Sequence, residues 1–134
     1  LTEQVGGVIL SEMFQPQIKL ELPAYENRNE LLWSGIRNVP GCYGCYSDEF
    51  EWLYIGASKR LLDRIMQRYV DQHDGRGKGW KLGGCIEWYV DMPAAHLGCL
   101  LYVWRTEHYV RLERMLIRKY APIFNKAFNP NYCK

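Results

Sequence analysis

The sequence predicts a mixed α/β (α+β) domain: a small, mostly antiparallel sheet of about three strands, flanked by helices. Three observations carry this. Two runs rich in aromatic and β-branched residues, 39–46 and 50–56, are separated by Ser47-Asp48-Glu49, the pattern of a β-hairpin. Apolar residues recur at helical spacing over 58–73 and again over 107–120. Between those helices, 97–105 reads as a buried strand.

The elements follow in order. Before the hairpin, the alternating run Gln17–Leu22 fits an edge strand that Pro23 ends, and 24–33 fits a helix closed by Gly35. Residues 1–38 therefore read as an arm in front of a domain spanning 39–128, with 129–134 as a tail. Ser58 can cap the first amphipathic helix, whose stripe is Leu61, Leu62, Ile65, Met66, Tyr69 and Val70. Its polar side carries Arg60, Arg64, Gln67, Arg68 and Asp71. Three glycines in the stretch 74–79 demand a loop, and 80–92 fits a helix or a strand equally. Thr106 can cap a final helix, 107–120, which Pro122 prevents from continuing.

A chain of 134 residues suits one domain with a real core. Its longest apolar run, 97–104, is far too short to span a bilayer, and the first residues lack the basic start and apolar stretch of a signal peptide. A cytoplasmic setting with reduced thiols is expected, and no membrane partner. The net charge of +2 conceals strong segregation along the chain. Segment 1–56 carries −5, 57–82 carries +4, 83–104 carries −2 and 105–134 carries +5. The two basic segments form either one positive face for a polyanion or two solvated helix faces.

Cys42 and Cys45 match a CxxC spacing, yet the remaining cysteines are isolated and supply no second pair for zinc. Residues three apart on a strand also point to opposite faces, so these thiols read as small buried apolar groups. The tyrosines are better candidates for chemistry. Tyr43 and Tyr54 sit on adjacent antiparallel strands, where both phenols can share one face, and Tyr46 falls on the other face as a core residue. On the last helix Glu113 lies in the middle of the apolar arc formed by Tyr109, Leu112, Leu116, Ile117 and Tyr120. A carboxylate so placed needs a partner, either a buried ion pair with Arg64 or a metal ion at the sheet surface.

These residues resemble the GIY-YIG nucleases. The two triplets are Gly41-Cys42-Tyr43 and Tyr54-Ile55-Gly56, within the longer strings VPGCY and WLYIGAS. Arg64 falls on the following helix where that family has an arginine, and LERMLIRKYAPIFN supplies Glu113 and Asn125 twelve residues apart. The resemblance spans about 39–128. Two positions depart from it. Arg68 stands where the family often has His or Tyr, a role open to Tyr69 or His73, and Ala57 stands where a lysine often follows the second triplet.

The resemblance implies a metal-dependent endonuclease that hydrolyses DNA to 5′-phosphate and 3′-hydroxyl ends, of the restriction or phage/mobile-element kind. Tyr43, Tyr54, Arg64, Glu113 and Asn125 would be its catalytic set, with Mg2+ (or Mn2+) held by Glu113 and substrate phosphate. Arg64 would contact the scissile phosphate, Tyr43 would take a proton from water, Tyr54 would assist and Asn125 would brace the site. A phenol ordinarily ionises near pH 10, so either tyrosine would need cations beside it. Lys59, Arg60, Arg68, Arg76, Lys78 and Lys81 are the expected nucleic-acid contacts, and a homodimer would let one site per chain cut both strands. The alternatives are a catalytically weakened nucleic-acid binding module, the catalytic fragment of a larger homing or repair nuclease, and a partner-docking domain with solvated basic faces.

Overall fold

A computed structural model describes residues 4–5, 8–9, 14–23, 25–48, 51–74, 100–123 and 125. Its strands are β1 (Gln4–Val5), β2 (Val8–Ile9), β3 (Ile18–Glu21), β4 (Gly41–Ser47), β5 (Glu51–Ser58) and β6 (Leu100–Arg105). A 3-10 helix spans Tyr25–Trp33, and the α-helices are α1 (Leu61–Asp74) and α2 (Tyr109–Tyr120). The loop at 74–79, apart from Asp74, and the ambiguous segment 80–92 lie outside the described residues, as does the tail.

β1 and β2 form a two-stranded ribbon of their own. The main sheet has four strands in the order β3-β6-β4-β5, every pair antiparallel. This corrects the expected three. The added strand is the one read as an edge of the arm: its alternation turns Ile18 and Leu20 onto the core while Lys19 and Glu21 stay exposed. It then pairs along β6, with Leu20 opposite Leu101.

The next segment is helical as expected but 3-10 in type, with a kink at Asn27 (φ −106°, ψ 17°). Asparagine side chains compete with the backbone for its own hydrogen bonds, which favours such short, tight turns over a regular α-helix. Leu31 and Ile36 nonetheless anchor this stretch in the core.

Layers of side chains cover both faces of the sheet. On one face Tyr43, Cys45, Leu53, Leu101 and Val103 pack with Leu61 and Ile65 of α1 and with Leu31. On the other, Cys42, Ile55 and Trp104 pack with Leu112, Leu116 and Ile117 of α2. Cys42 and Cys45 thus point to opposite sides, as strand geometry demands, and both are buried free thiols. Tyr46 lies against Trp52 and Tyr102, at 5.3 and 6.1 Å between ring centroids, on the side away from Tyr43.

The first N–H groups of a helix have no intrahelical partner, and α1 starts where the preceding chain can receive them. At α1, Leu61 N donates to Val39 O, Leu62 N to Arg37 O, and Asp63 N to Asn38 Oδ1 at 2.8 Å. Ser58 Oγ accepts from Arg60 N at 3.0 Å just ahead of the helix. Asp63 in turn accepts from Asn38 Nδ2 and Arg60 Nε, and these bonds hold its carboxyl below the ordinary carboxylate value. At α2, Thr106 Oγ1 accepts from His108 N at 3.1 Å, so the threonine shapes the turn before the helix and His108 occupies the cap position. The helix begins at Tyr109, two residues later than expected, and ends at Tyr120, capped by Ala121, whose φ of 45° lies in the left-handed region just before Pro122.

The hairpin explains two of the glycines. A Cβ on Gly41 would overlap the Trp104 carbonyl oxygen and come within 2.6 Å of Leu61 Cδ1. One on Gly56 would sit 2.5 Å from both Cζ and Oη of Tyr43, whose ring lies across it. Since Tyr43 is only 2% exposed, its ring has no empty space to retreat into. Gly56→Ala should therefore lower stability by about 1–3 kcal/mol, the usual cost of overpacking. Chemical denaturation measures it, and an alanine variant as stable as the parent would show that the ring is not confined.

Candidate functional site

Tyr43 lies opposite Gly56 and Cys45 opposite Tyr54 in the β4–β5 register. A bulge follows, because Tyr46 pairs with Trp52 and leaves Leu53 without a partner on β4. Leu53 and Tyr54 consequently both face α1. The two phenol rings stand 6.2 Å apart between centroids, tilted by 41°. Their shared face, read from the sequence, is thus present, but their exposure differs: Tyr43 is buried and Tyr54 half-buried. The burial of Tyr43 counts against the expectation that it takes a proton directly from water.

Arg64 is half-buried on α1, the helix covering the face that carries the tyrosines. Its Nη1 donates to Gln67 Oε1 at 3.1 Å, one turn further along. One end of the fork is thereby fixed while the guanidinium keeps further donors. The sequence puts Gln67 on the polar side of α1, and its i,i+3 offset from Arg64 is the local signal of this contact.

Glu113 belongs to the other layer. It is half-buried on α2, and burial raises its pKa above the ordinary 4.5, an effect opposed by the neighbouring Arg114. Among the described residues none donates a hydrogen bond to this carboxylate or forms an ion pair with it. The ion pair with Arg64 left open by the sequence is not formed, since α1 and α2 pack on opposite faces of the sheet. Close to Glu113 lies Cys42, a neighbour that sequence spacing could not reveal. Its thiol donates to Tyr109 O at 3.2 Å and is pushed well above its usual pKa, first by burial and then by the Glu113 charge. A neutral thiol is a poor metal ligand and does not compete with the carboxylate.

Asn125 has the most clearly defined role. Its Nδ2 donates to Ile55 O and its Oδ1 accepts from Ile55 N, each at 2.8 Å. β5 is the edge of the sheet, and this buried amide serves Ile55 as a neighbouring strand would. Ile123 N adds a bond to Trp52 O at 3.1 Å, so the chain leaving α2 is fastened along the same edge.

The expected residues therefore form two groups meeting at one strand. Tyr43, Tyr54 and Arg64 belong to the α1 face, Glu113 to the α2 face, and Asn125 clamps β5 between them. Register places the groups one step apart: Tyr43 pairs with Gly56, and Cys42, beside Glu113, pairs with Ala57. Of the expected nucleic-acid contacts, Lys59 is exposed and Arg60 is engaged by Asp63 at 3.0 Å. The side chain of Arg68 lies outside the described residues, as do Arg76, Lys78 and Lys81 and the side chains of Tyr69 and His73.

No set of three or more His, Cys, Asp or Glu side chains among the described residues converges on a point that could hold a metal. Glu113 fits a divalent ion of the magnesium kind only if water and substrate phosphate complete the shell, a mode that ion commonly adopts. Its half-buried carboxylate suits that use, because the ion would add to the partial charge compensation from Arg114, which burial outweighs. No helix of the described residues is long and apolar enough to cross a membrane. Compared with known proteins, the chain matches no family model, no curated protein and no solved structure.

A carboxylate whose pKa burial raises leaves a mark on stability. Above its raised pKa, Glu113 is charged in both folded and unfolded states, so the native state bears the full desolvation cost. As pH falls from that raised value through the ordinary one, the native state protonates first and the cost disappears. Glu113→Gln should thus melt roughly 2–4 °C higher than the parent near pH 7, with the gain gone by about pH 4. Thermal melts across pH decide this, and a variant less stable at pH 7 would mean that the carboxylate has a stabilising partner.

Proposed function

We propose that the chain is a metal-dependent endonuclease that hydrolyses DNA phosphodiester bonds, with GIY-YIG-type chemistry at the β5 edge. The observation that carries the reading is the unbonded carboxylate of Glu113, one register step across the sheet from the paired phenols of Tyr43 and Tyr54. A phosphodiester laid against Gly56–Ala57 would meet groups from both faces, because among the described residues no further strand of the sheet lies along that edge.

In this reading Arg64 binds the scissile phosphate through its remaining donors while Gln67 fixes the guanidinium plane. Tyr54, the more exposed phenol, would first lose its proton to solvent. As the phenolate it would take one from the water whose oxygen bonds to phosphorus as the P–O3′ bond breaks. The departing 3′ oxygen takes a proton from solvent, and Tyr43 backs Tyr54 from within the core. Asn125 keeps β5 in place. Glu113 would hold Mg2+ or Mn2+, and that ion would supply charge neutralisation at phosphorus and at the departing 3′ oxygen. Products would carry 5′-phosphate and 3′-hydroxyl ends, and cutting both strands would take two copies or two successive nicks. A restriction-type or phage/mobile-element enzyme suits so small a catalytic unit, as does the catalytic part of a homing or repair nuclease.

One observation favours a second reading. The 2% exposure of Tyr43 also fits a nucleic-acid binding module that keeps the fold without the chemistry. Plasmid nicking in Mg2+ or Mn2+, with EDTA and Glu113→Gln as controls, separates the two. The nuclease reading predicts metal-dependent nicking that falls by about 100-fold or more in the variant, with DNA binding kept. Equal nicking by variant and parent would remove Glu113 from the mechanism. Salt-sensitive binding without nicking on any substrate would leave the binding module.

A further inference from the structure

The α2 side of the sheet carries a run of aromatic rings that the site described above does not use. In register, Lys19, Tyr102 and Gly44 stand side by side across β3, β6 and β4. A Cβ on Gly44 would come within 2.8 Å of Trp52 Cζ3, so the missing side chain is what lets the indole reach across from β5. The Trp52 ring lies 5.1 Å from that of Tyr102 and 5.3 Å from that of Tyr46, centroid to centroid. It also stacks on Tyr120, the last residue of α2, at 4.5 Å.

All four rings are half-buried, whereas Trp104 beside them is buried and donates its Nε1–H to Phe14 O at 3.0 Å. The hydroxyls of Tyr46, Tyr102 and Tyr120 and the Nε1–H of Trp52 bond no described group. Buried phenols and indoles ordinarily find such partners, so these four present the apolar body and wet polar tip of a contact surface. An exposed lysine stands at each end of the run. Lys19 Nζ is 5.3 Å from the Tyr102 ring centre and Lys119 Nζ 5.4 Å from that of Tyr120. An ammonium over a solvent-accessible ring is held weakly, so either lysine can turn to an anion and leave its ring to a planar group.

Rings alone would serve a sugar or a proline-rich peptide, but neither calls for flanking cations. An unpaired stretch of nucleic acid has both parts, bases that stack and phosphates between them. In a duplex the base faces are already stacked on one another. We infer that Tyr46, Trp52, Tyr102 and Tyr120 form a stacking platform for unpaired bases, with Lys19 and Lys119 binding phosphates on either side. That the polymer is DNA rests on the proposed endonuclease function, to which the platform adds a substrate feature: an unpaired segment near the bond that is cut. Platform and proposed site share α2, since Tyr120 is seven residues from Glu113, about 10 Å along the helix axis.

The test is fluorescence anisotropy with a labelled oligothymidylate in EDTA, so that no cleavage is needed, repeated over a range of salt concentrations. Tyr102→Leu should lower affinity about 5- to 100-fold, whereas Tyr102→Phe, which keeps the ring, should bind within about threefold of the parent. Lys19→Gln/Lys119→Gln changes two exposed side chains and should leave folding intact. It should lessen the slope of log affinity against log salt by about 1.4 units, because each phosphate contact on a single strand contributes about 0.7. A parent that fails to bind at low salt would overturn the platform. So would leucine and phenylalanine variants that bind alike, or an unchanged slope in the lysine variant. The two proposals fail separately. Binding that meets these expectations in a parent that never nicks DNA removes the nuclease reading alone; nicking by a parent that fails them removes the platform alone.

Discussion

The arrangement depends on a side-chain amide completing a sheet. An edge strand leaves every second residue with an N–H and a C=O directed outward, and buried groups of that kind must find partners. Ile55 finds both in Asn125, at 2.8 Å each, and the pair is buried from water. The bond joins residues seventy apart in the chain, so it fixes the exit of α2 against the strand that carries Tyr54 and Gly56. Without it, the helix bearing Glu113 and the hairpin bearing the tyrosines would be related by apolar packing and by two single bonds, Ile123 N to Trp52 O and the Cys42 thiol to Tyr109 O.

From that clamp follows the division of labour across the sheet. The hairpin register sets Tyr43 on Gly56, a contact close enough to exclude any side chain there. The bulge at Leu53 then keeps Tyr54 on the same face. Glu113 approaches from the other face, over Cys42 and against a layer of aliphatic and aromatic side chains. A site of this kind uses the thinness of a single sheet: groups on the two faces stand far apart by side-chain direction yet one register step apart at the edge. The same burial that raises the pKa of Glu113 would strengthen its hold on a cation, so the strain on the fold and the proposed chemistry share one cause.

Much of this was legible in the sequence because short-range patterns encode it. The hairpin, the two α-helices and β6 follow from alternation and helical periodicity, and the inward turn of Glu113 follows from its offsets to Leu112, Leu116 and Ile117. The arm's strand was visible in Gln17–Leu22, but its place beside β6 was not, since pairing partners far apart in the chain leave no local signal. The 3-10 form of 25–33 escaped for a different reason: asparagine-rich turns differ from α-helices in hydrogen bonding rather than in apolar spacing. Nor could spacing reveal that Asn125 would complete an edge, that Cys42 would sit by Glu113, or that Tyr43 would be buried while Tyr54 stayed half-open. Those features arise from tertiary packing.

The central claim is that groups from the two faces act as one site, and a double-mutant cycle in cleavage rate tests it most directly. Tyr54→Phe, Glu113→Gln and the double variant would be compared with the parent under one metal and one substrate. Groups that act as a unit are strongly non-additive, so the double variant should cleave within a few-fold of the slower single variant. Losses that multiply, or a Tyr54→Phe enzyme as fast as the parent, would contradict a shared site at the β5 edge.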